Sequence, residues 1–216
     1  MEGDEEMSAL PIEGWLVEHP PPSTARLFPH SRRVTGYTVD DWLKLPQTGE
    51  RIELIDGSFV VHGVPAPNHA ICAKRMVRLL DDARPDHLEV AEAVGIVVGE
   101  DGLIPDIVIA DAEAMLSGIP DLAYPDVVGV VEIVSPGLGN WKRDYEIKPP
   151  KYAAAGIPVF IRVELEGEGA PTVEVFQLGK TGYIRVSVAG AGENLTISEP
   201  FKVSFDPAVL AGRRRS

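Results

Sequence analysis

Apolar runs broken by turn residues divide the chain into alternating strand-like and helix-like segments. RIELI (51–55) and SFVVH (58–62) are two short strand-like runs joined by Asp56-Gly57. That dipeptide marks a tight hairpin, since both central residues of such a turn take positive φ. Before it, Thr38 is positioned to cap a short helix over Val39–Leu45, with Asp40 and Asp41 in its first turn and Pro46 as its stop. After Pro65 and Pro67, Asn68 is the expected cap of a helix from His69 to about Ala83, closed by Pro85. Its apolar positions Ile71, Cys72, Met76, Val77, Leu79 and Leu80 leave Lys74, Arg75 and Arg78 on the wetter side.

The period then changes. Leu88–Val98 alternates imperfectly, GEDG turns, and Ile104–Ala110 resumes as a strand; Met115 and Leu116 fall in a short connection. Val127–Val134 (VVGVVEIV) is apolar enough to be buried on both faces, which marks a central strand. Trp141–Ala155 reads as helical, interrupted by Pro149-Pro150, with Gly156 as its C-terminal cap. Strands follow at Val159–Leu165, Thr172–Leu178, Tyr183–Val188 and Phe201–Phe205. The class is mixed α/β: a central sheet flanked by helices, an N-terminal hairpin and an antiparallel C-terminal set of strands.

Composition sets limits on this picture. The 216 residues suit one domain, and a single cysteine, Cys72, excludes internal disulfides and Cys-based zinc sites. No apolar run reaches the ~18 residues of a membrane span, and the N-terminus lacks the pattern of a secretion signal, so no membrane partner and a cytoplasmic location are expected. Acids outnumber bases 33 to 20, for a net charge of -13, which argues against binding nucleic acid through bulk positive charge. Residues 1–30 hold six of the acids and one base. With Pro20, Pro21 and Pro22 in the same stretch, residues 1–36 read as an acidic, mobile extension. The domain proper is expected over 37–207, and 208–216, with Arg213, Arg214 and Arg215, as a basic tail.

The chemistry concentrates in two acids inside apolar runs: Asp106 in IPDIVI and Glu132 in VVEIVS. A desolvated carboxylate costs several kcal/mol unless a cation or strong hydrogen bonds offset it. Acids on neighbouring strands can converge on a hard divalent ion; alternatively, each lies at a strand end facing water or pairs with an arginine. No P-loop, dinucleotide-binding glycine motif, GxSxG or zinc-spaced histidine set is present, and Ser135 reads as a turn or cap hydroxyl.

Taken together, ELIDG (53–57), PNHA (67–70), PDIVIAD (105–111), EIVSP (132–136) and RDYEIKPPKYAAAGIP (143–158) resemble the Uma-type family of restriction endonucleases, within the PD-(D/E)XK nuclease superfamily. The resemblance runs from about Tyr37 to Phe205 and implies a restriction-endonuclease-like fold. It implies that Asp106 and Glu132, with the carbonyl of Ile133, bind Mg²⁺ or Mn²⁺ for hydrolysis of DNA. The superfamily's lysine would fall at 134, where this chain has Val134. In the family a following helix supplies it, in a pattern of Asp, Lys and Tyr four residues apart that lands on Asp144, Lys148 and Tyr152. Pro149 and Pro150 place Lys148 at an expected helix break and leave Lys151 as a rival.

Glu53 matches a recurrent acid of the family and could reach the metal through water, or serve as a cross-strand partner of Arg51 or another base. His69 could hold a phosphate or water, or bond the loop backbone. Phosphate contacts would come from Lys74, Arg75, Arg78, Lys142, Arg143, Lys148 and Lys151 if both helices border one cleft. Double-strand cleavage and the resemblance imply a homodimer. A catalytically inactive descendant that binds nucleic acid or a protein, and a metal-free glycoside hydrolase using paired carboxylates, are the alternatives.

Overall fold

The computed structural model describes residues 15–16, 36–46, 49–119, 121–134 and 142–211. Most of the N-terminal extension, Ser135, Trp141 and Arg213–Arg215 lie outside the described residues. Within the extension, Trp15–Leu16 (β1) pairs antiparallel with Val60 and Val61.

Helix α1, Val39–Leu43, is held by the expected cap: Thr38 Oγ1 accepts from the Asp41 amide, and the Asp41 carboxylate accepts from the Thr38 amide at 3.0 Å. The hairpin follows as Ile52–Ile55 (β2) and Ser58–Val61 (β3), with Asp56 at φ 50 and Gly57 at φ 74. Side chains of β2 alternate. Ile52 and Leu54 pack with Trp42, whereas Ile55 joins the core on the opposite side. Glu53 shares the Ile55 face and is fully buried.

Helix α2 spans Pro67–Asp81. Its cap is Ala66 rather than the expected Asn68, because Pro67 fits the first helical position, where an N–H would have no partner anyway. The expected single strand at 88–98 is two: Leu88–Glu92 (β4) and Gly95–Val98 (β5), which belong to different sheets. The chain crosses between sheets at Ala93, which takes a positive φ of 54. It crosses back after Asp101–Leu103 (β6), so the next strand, Ile107–Asp111 (β7), begins after Asp106 rather than containing it. The Ala93 amide donates to the Asp106 carbonyl at 3.0 Å and ties the two crossings together.

Ala112–Leu116 (α3) and Asp121–Ala123 (β8) lead into the central strand Val127–Val134 (β9). A π-helical turn, Arg143–Ile147, then runs straight into Lys148–Ala154 (α4). The helix break expected at Lys148 is absent: helical backbone continues from the π turn through Lys148. Pro149 and Pro150 sit in the first turn of α4, where missing N–H groups remove no helical bond. Gly156 ends the helix at φ 85, as expected. Val159–Glu164 (β10), Thr172–Gly179 (β11) and Gly182–Ala189 (β12) follow, then Leu195–Ile197 (β13) with Val203–Phe205 (β14), and Ala208–Ala211 (α5). β13 and α5 have no counterpart in the sequence expectation.

Two six-stranded sheets share these strands, ordered β1-β3-β2-β6-β5-β8 and β12-β11-β10-β9-β7-β4, both mixed in direction. One face of the second sheet packs its Ile107, Val131, Ile133 and Ile161 against Cys72, Met76 and Leu80 of α2. The other face packs Val108, Val130 and Phe160 with Tyr152 of α4 and with Ile55, Ile96 and Leu103 of the first sheet. Glu132 lies in phase with Val130, so it faces the space between the sheets. No helix among the described residues is long and apolar enough to cross a membrane.

Candidate active site

At one end of the inter-sheet space, β2 and β3 bring Arg51, Glu53 and His62, β7 and β9 bring Asp106 and Glu132, and α4 brings Lys148 and Tyr152. The β7–β9 ladder explains why the two strand acids meet. Its antiparallel register places Ile107 opposite Val131, so one step further Asp106 falls opposite Glu132 and Pro105 opposite Ile133. Proline at the end of the ladder has no N–H to give, and the chain leaves the sheet there. The Ile133 amide, which would otherwise be orphaned, donates to Asp106 Oδ2 at 2.8 Å.

The other hydrogen-bond partners of the Asp106 carboxylate among the described residues are cationic or titratable. Arg51 Nη1 donates to Oδ1 at 3.1 Å, and His69 Nε2 lies 3.2 Å from Oδ2. Burial raises the carboxyl's pKa, but His69 and Arg51 outweigh it and hold it at about 2. The same contact moves His69 upward against its own burial. His69 therefore reaches the acid, not the loop backbone, while its amide N–H donates to Asn68 Oδ1 at 3.0 Å.

Lys148 settles between two other acids, with Nζ 2.9 Å from Glu53 Oε1 and 3.0 Å from Glu132 Oε1. It is 2 % exposed. Burial alone would neutralise it, yet the surrounding carboxylates raise its pKa, so the ammonium persists. Tyr152, one turn later on the same face of α4, donates its hydroxyl to Glu132 Oε1 at 2.5 Å. Lys151 points elsewhere, onto Asp101 at 2.6 Å and Asp56 at 2.7 Å, and takes no part in the site.

Glu53 is not paired with Arg51. Its Oε1 accepts from the Ile104 amide at 2.7 Å, and its Oε2 lies 2.6 Å from His62 Nε2. Burial raises its pKa, but Lys148 and His62 overcompensate and hold it well below the carboxylate range. Glu132 has fewer donors and two acidic neighbours. Burial, then Asp106 and Glu53, push it up to about 7 despite Lys148. Asp144, in the π turn, is buried near the same acids and is raised well above its ordinary value by burial and Glu132.

No sequence motif marks His62 or Arg51 as a site residue. Phase along the hairpin was the available signal: Arg51 lies two residues before Glu53, and His62 two after the inward Val60.

Could these residues hold a divalent ion? Among the described residues no three His, Cys, Asp or Glu side chains stand at ligand spacing. The donor chemistry nevertheless fits a hard cation. Four buried acids (Glu53, Asp106, Glu132, Asp144) gather with the cations Arg51, Arg143 and Lys148, and burial first, then the neighbouring carboxylates, raise Glu132 and Asp144. Mg²⁺ needs only one or two protein carboxylates and keeps several waters.

The cations on α2, the π turn and α4 are less available than the sequence implied. Arg75 donates to the Val209 and Leu210 carbonyls, and Arg143 and Lys148 are buried. Lys74, Arg78 and Lys142 remain exposed.

No curated protein matches the chain. Among solved structures it is similar to a protein from Anabaena variabilis ATCC 29413 described as "a putative nuclease belonging to DUF820", at 17 % identity and a TM-score of 0.56, covering 76 % of this chain and 89 % of that one. That likeness extends to the restriction-endonuclease-like fold. Residues 39–210 match the Uma2 family, described as "Putative restriction endonuclease". With acid, acid and lysine assembled between the sheets and the match spanning most of the chain, this protein belongs to the Uma2 family.

Proposed function

We propose that the protein is a Mg²⁺- or Mn²⁺-dependent endonuclease that hydrolyses DNA phosphodiester bonds. The observation that carries this reading is Lys148. It arrives from α4, rather than from position 134, and joins Glu132 and Glu53 in the same space that Asp106 borders. Asp106 and Glu132, with the Ile133 carbonyl, would hold the ion, whose Lewis acidity supplies an activated water and stabilises charge on the phosphate.

The chain's own groups do the rest. Lys148, kept protonated, is a donor and not a base; it orients the attacking water or neutralises the phosphate as a P–O ester bond breaks. Glu53, fixed by His62 and the Ile104 amide, aligns that ammonium. Tyr152 keeps its proton, because burial and Glu132 raise its pKa far above the ordinary range, and so holds Glu132 in one orientation. His69 holds Asp106. Cleavage of both strands would require two such sites, and hence a homodimer.

Cleavage of supercoiled plasmid with Mg²⁺ or Mn²⁺ tests the reading. Wild type should nick or linearise the DNA, and Asp106→Ala should lower the rate at least ~100-fold, the scale of losing a main electrostatic group. Equal rates in both proteins would remove Asp106 from the mechanism. The commitment of Arg75 and Lys151 to other partners favours a second reading, nucleic-acid or protein binding without turnover. Metal binding with no cleavage of any nucleic acid would select it.

A further inference from the structure

Arg51 is a cation that the site, as assembled above, does not need for any step. It lies on β2's inward phase, immediately before the strand and two residues from Glu53. Its Nη1 pairs with Asp106 Oδ1 at 3.1 Å and its Nη2 donates to the Ile104 carbonyl at 2.8 Å. The third edge of the fork is unused: the Nε–H is buried with no acceptor among the described residues. The guanidinium is also the solvent-facing member of the pair, 25 % exposed against 8 % for Asp106.

Two requirements conflict at this pair. Without a divalent ion, Asp106 needs a counter-charge, since a buried carboxylate alone is costly. With the ion on Asp106, a permanently charged guanidinium 3.1 Å from the same carboxylate is repelled. Arginine cannot relieve that repulsion by losing a proton, so it must change partner. A phosphate ester is the partner for which its planar fork is suited, and Arg51 carries an N–H not yet used.

We propose that Arg51 is an exchangeable counter-ion, neutralising Asp106 in the metal-free protein and transferring to a non-bridging oxygen of the scissile phosphate when the divalent ion and DNA bind. The inference rests on the nuclease reading and deepens it: it assigns the residue that contacts phosphate beside the metal and predicts antagonism between that residue and the metal when DNA is absent.

Calorimetric titration of Mn²⁺ into the full chain without DNA, and binding of a short DNA duplex in Ca²⁺ over a range of salt, test the exchange. Arg51→Gln should bind Mn²⁺ about tenfold more tightly than wild type, as expected when a like charge leaves the neighbourhood. Arg51→Lys, which keeps the charge, should bind it about as wild type does. On DNA, Arg51→Gln should weaken affinity and reduce the salt slope by about 1, the loss of one phosphate contact. Weaker Mn²⁺ binding by Arg51→Gln would make Arg51 a structural prop for Asp106 and overturn the proposal. So would tighter Mn²⁺ binding with an unchanged DNA salt slope. Should wild type bind no Mn²⁺, the metal reading falls together with the exchange, whereas a failure confined to the variants removes the exchange alone.

Discussion

Glu132 is the residue at which function and stability oppose each other. It is 2 % exposed, shares one lysine with Glu53, and lies near two other carboxylates. Its pKa in the folded chain, about 7, exceeds the ordinary 4.5, so the folded state holds the proton more tightly than the unfolded chain does. The associated stability is present below pH 4.5 and is lost as pH rises through 7. Glu132→Gln, measured in the absence of divalent ions, should therefore be more stable than wild type at pH 8, by up to about 3 kcal/mol, and should show no gain at pH 4. A melting temperature at pH 8 equal to or below that of wild type would refute the charge surplus. Asp106 behaves oppositely. Its depressed pKa supplies stability above its ordinary value of 3.8 that disappears as pH falls towards 2.

At the level of elements, the site depends on two places where regular structure gives way. One is the crossing at Pro105–Asp106, which ends the β7 ladder and releases a carboxylate to cap the Ile133 amide. The other is the π turn before α4. A π turn holds one residue more than the α-helical equivalent. Here it keeps Asp144 buried on approach to a regular helix that carries Lys148 and Tyr152 on one face. Around these places the packing of the hairpin is tight. Trp42, anchored by its indole N–H on the Ile52 carbonyl at 2.6 Å, lies against Gly102 of β6. A Cβ there would stand 2.3 Å from the indole ring. Gly102→Ala should thus destabilise the fold by about 1–3 kcal/mol in urea denaturation, the usual scale of overpacking. Since β6 leads to Asp106, its divalent-dependent activity should also fall.

For the whole molecule the governing quantity is charge. The chain carries -13, and several cations expected to face phosphate are engaged within the protein, Arg75 on α5 and Lys151 on Asp56 and Asp101. Arg51, Lys74, Arg78 and Lys142 remain as candidates on the described elements. DNA affinity should accordingly fall with salt on a log–log slope no steeper than about -4 per protomer, since each phosphate neutralised contributes about 0.9. A much steeper slope in filter binding or anisotropy would place further cations, or a second protomer, on the DNA.

Much of this organisation is legible in the chain itself because it depends on local rules. Asp56-Gly57 dictates its own turn, Thr38 and Asp41 cap each other within one helical turn, and an eight-residue apolar strand must be central. The acids at 106 and 132 are legible because a carboxylate in such a run demands a reason. What needed tertiary structure was pairing across long separations. Leu88–Val98 reads as one strand until two sheets compete for its halves, and the lysine question is decided only by which acids the α4 face meets. His62 and Arg51 have no motif; the hairpin's phase aims His62 across to Glu53 on the neighbouring strand and Arg51 at Asp106, 55 residues away. Residue type and local spacing thus determined which groups were chemically interesting and which elements carried them. Burial between two sheets, which no local pattern encodes, decided who neutralises whom.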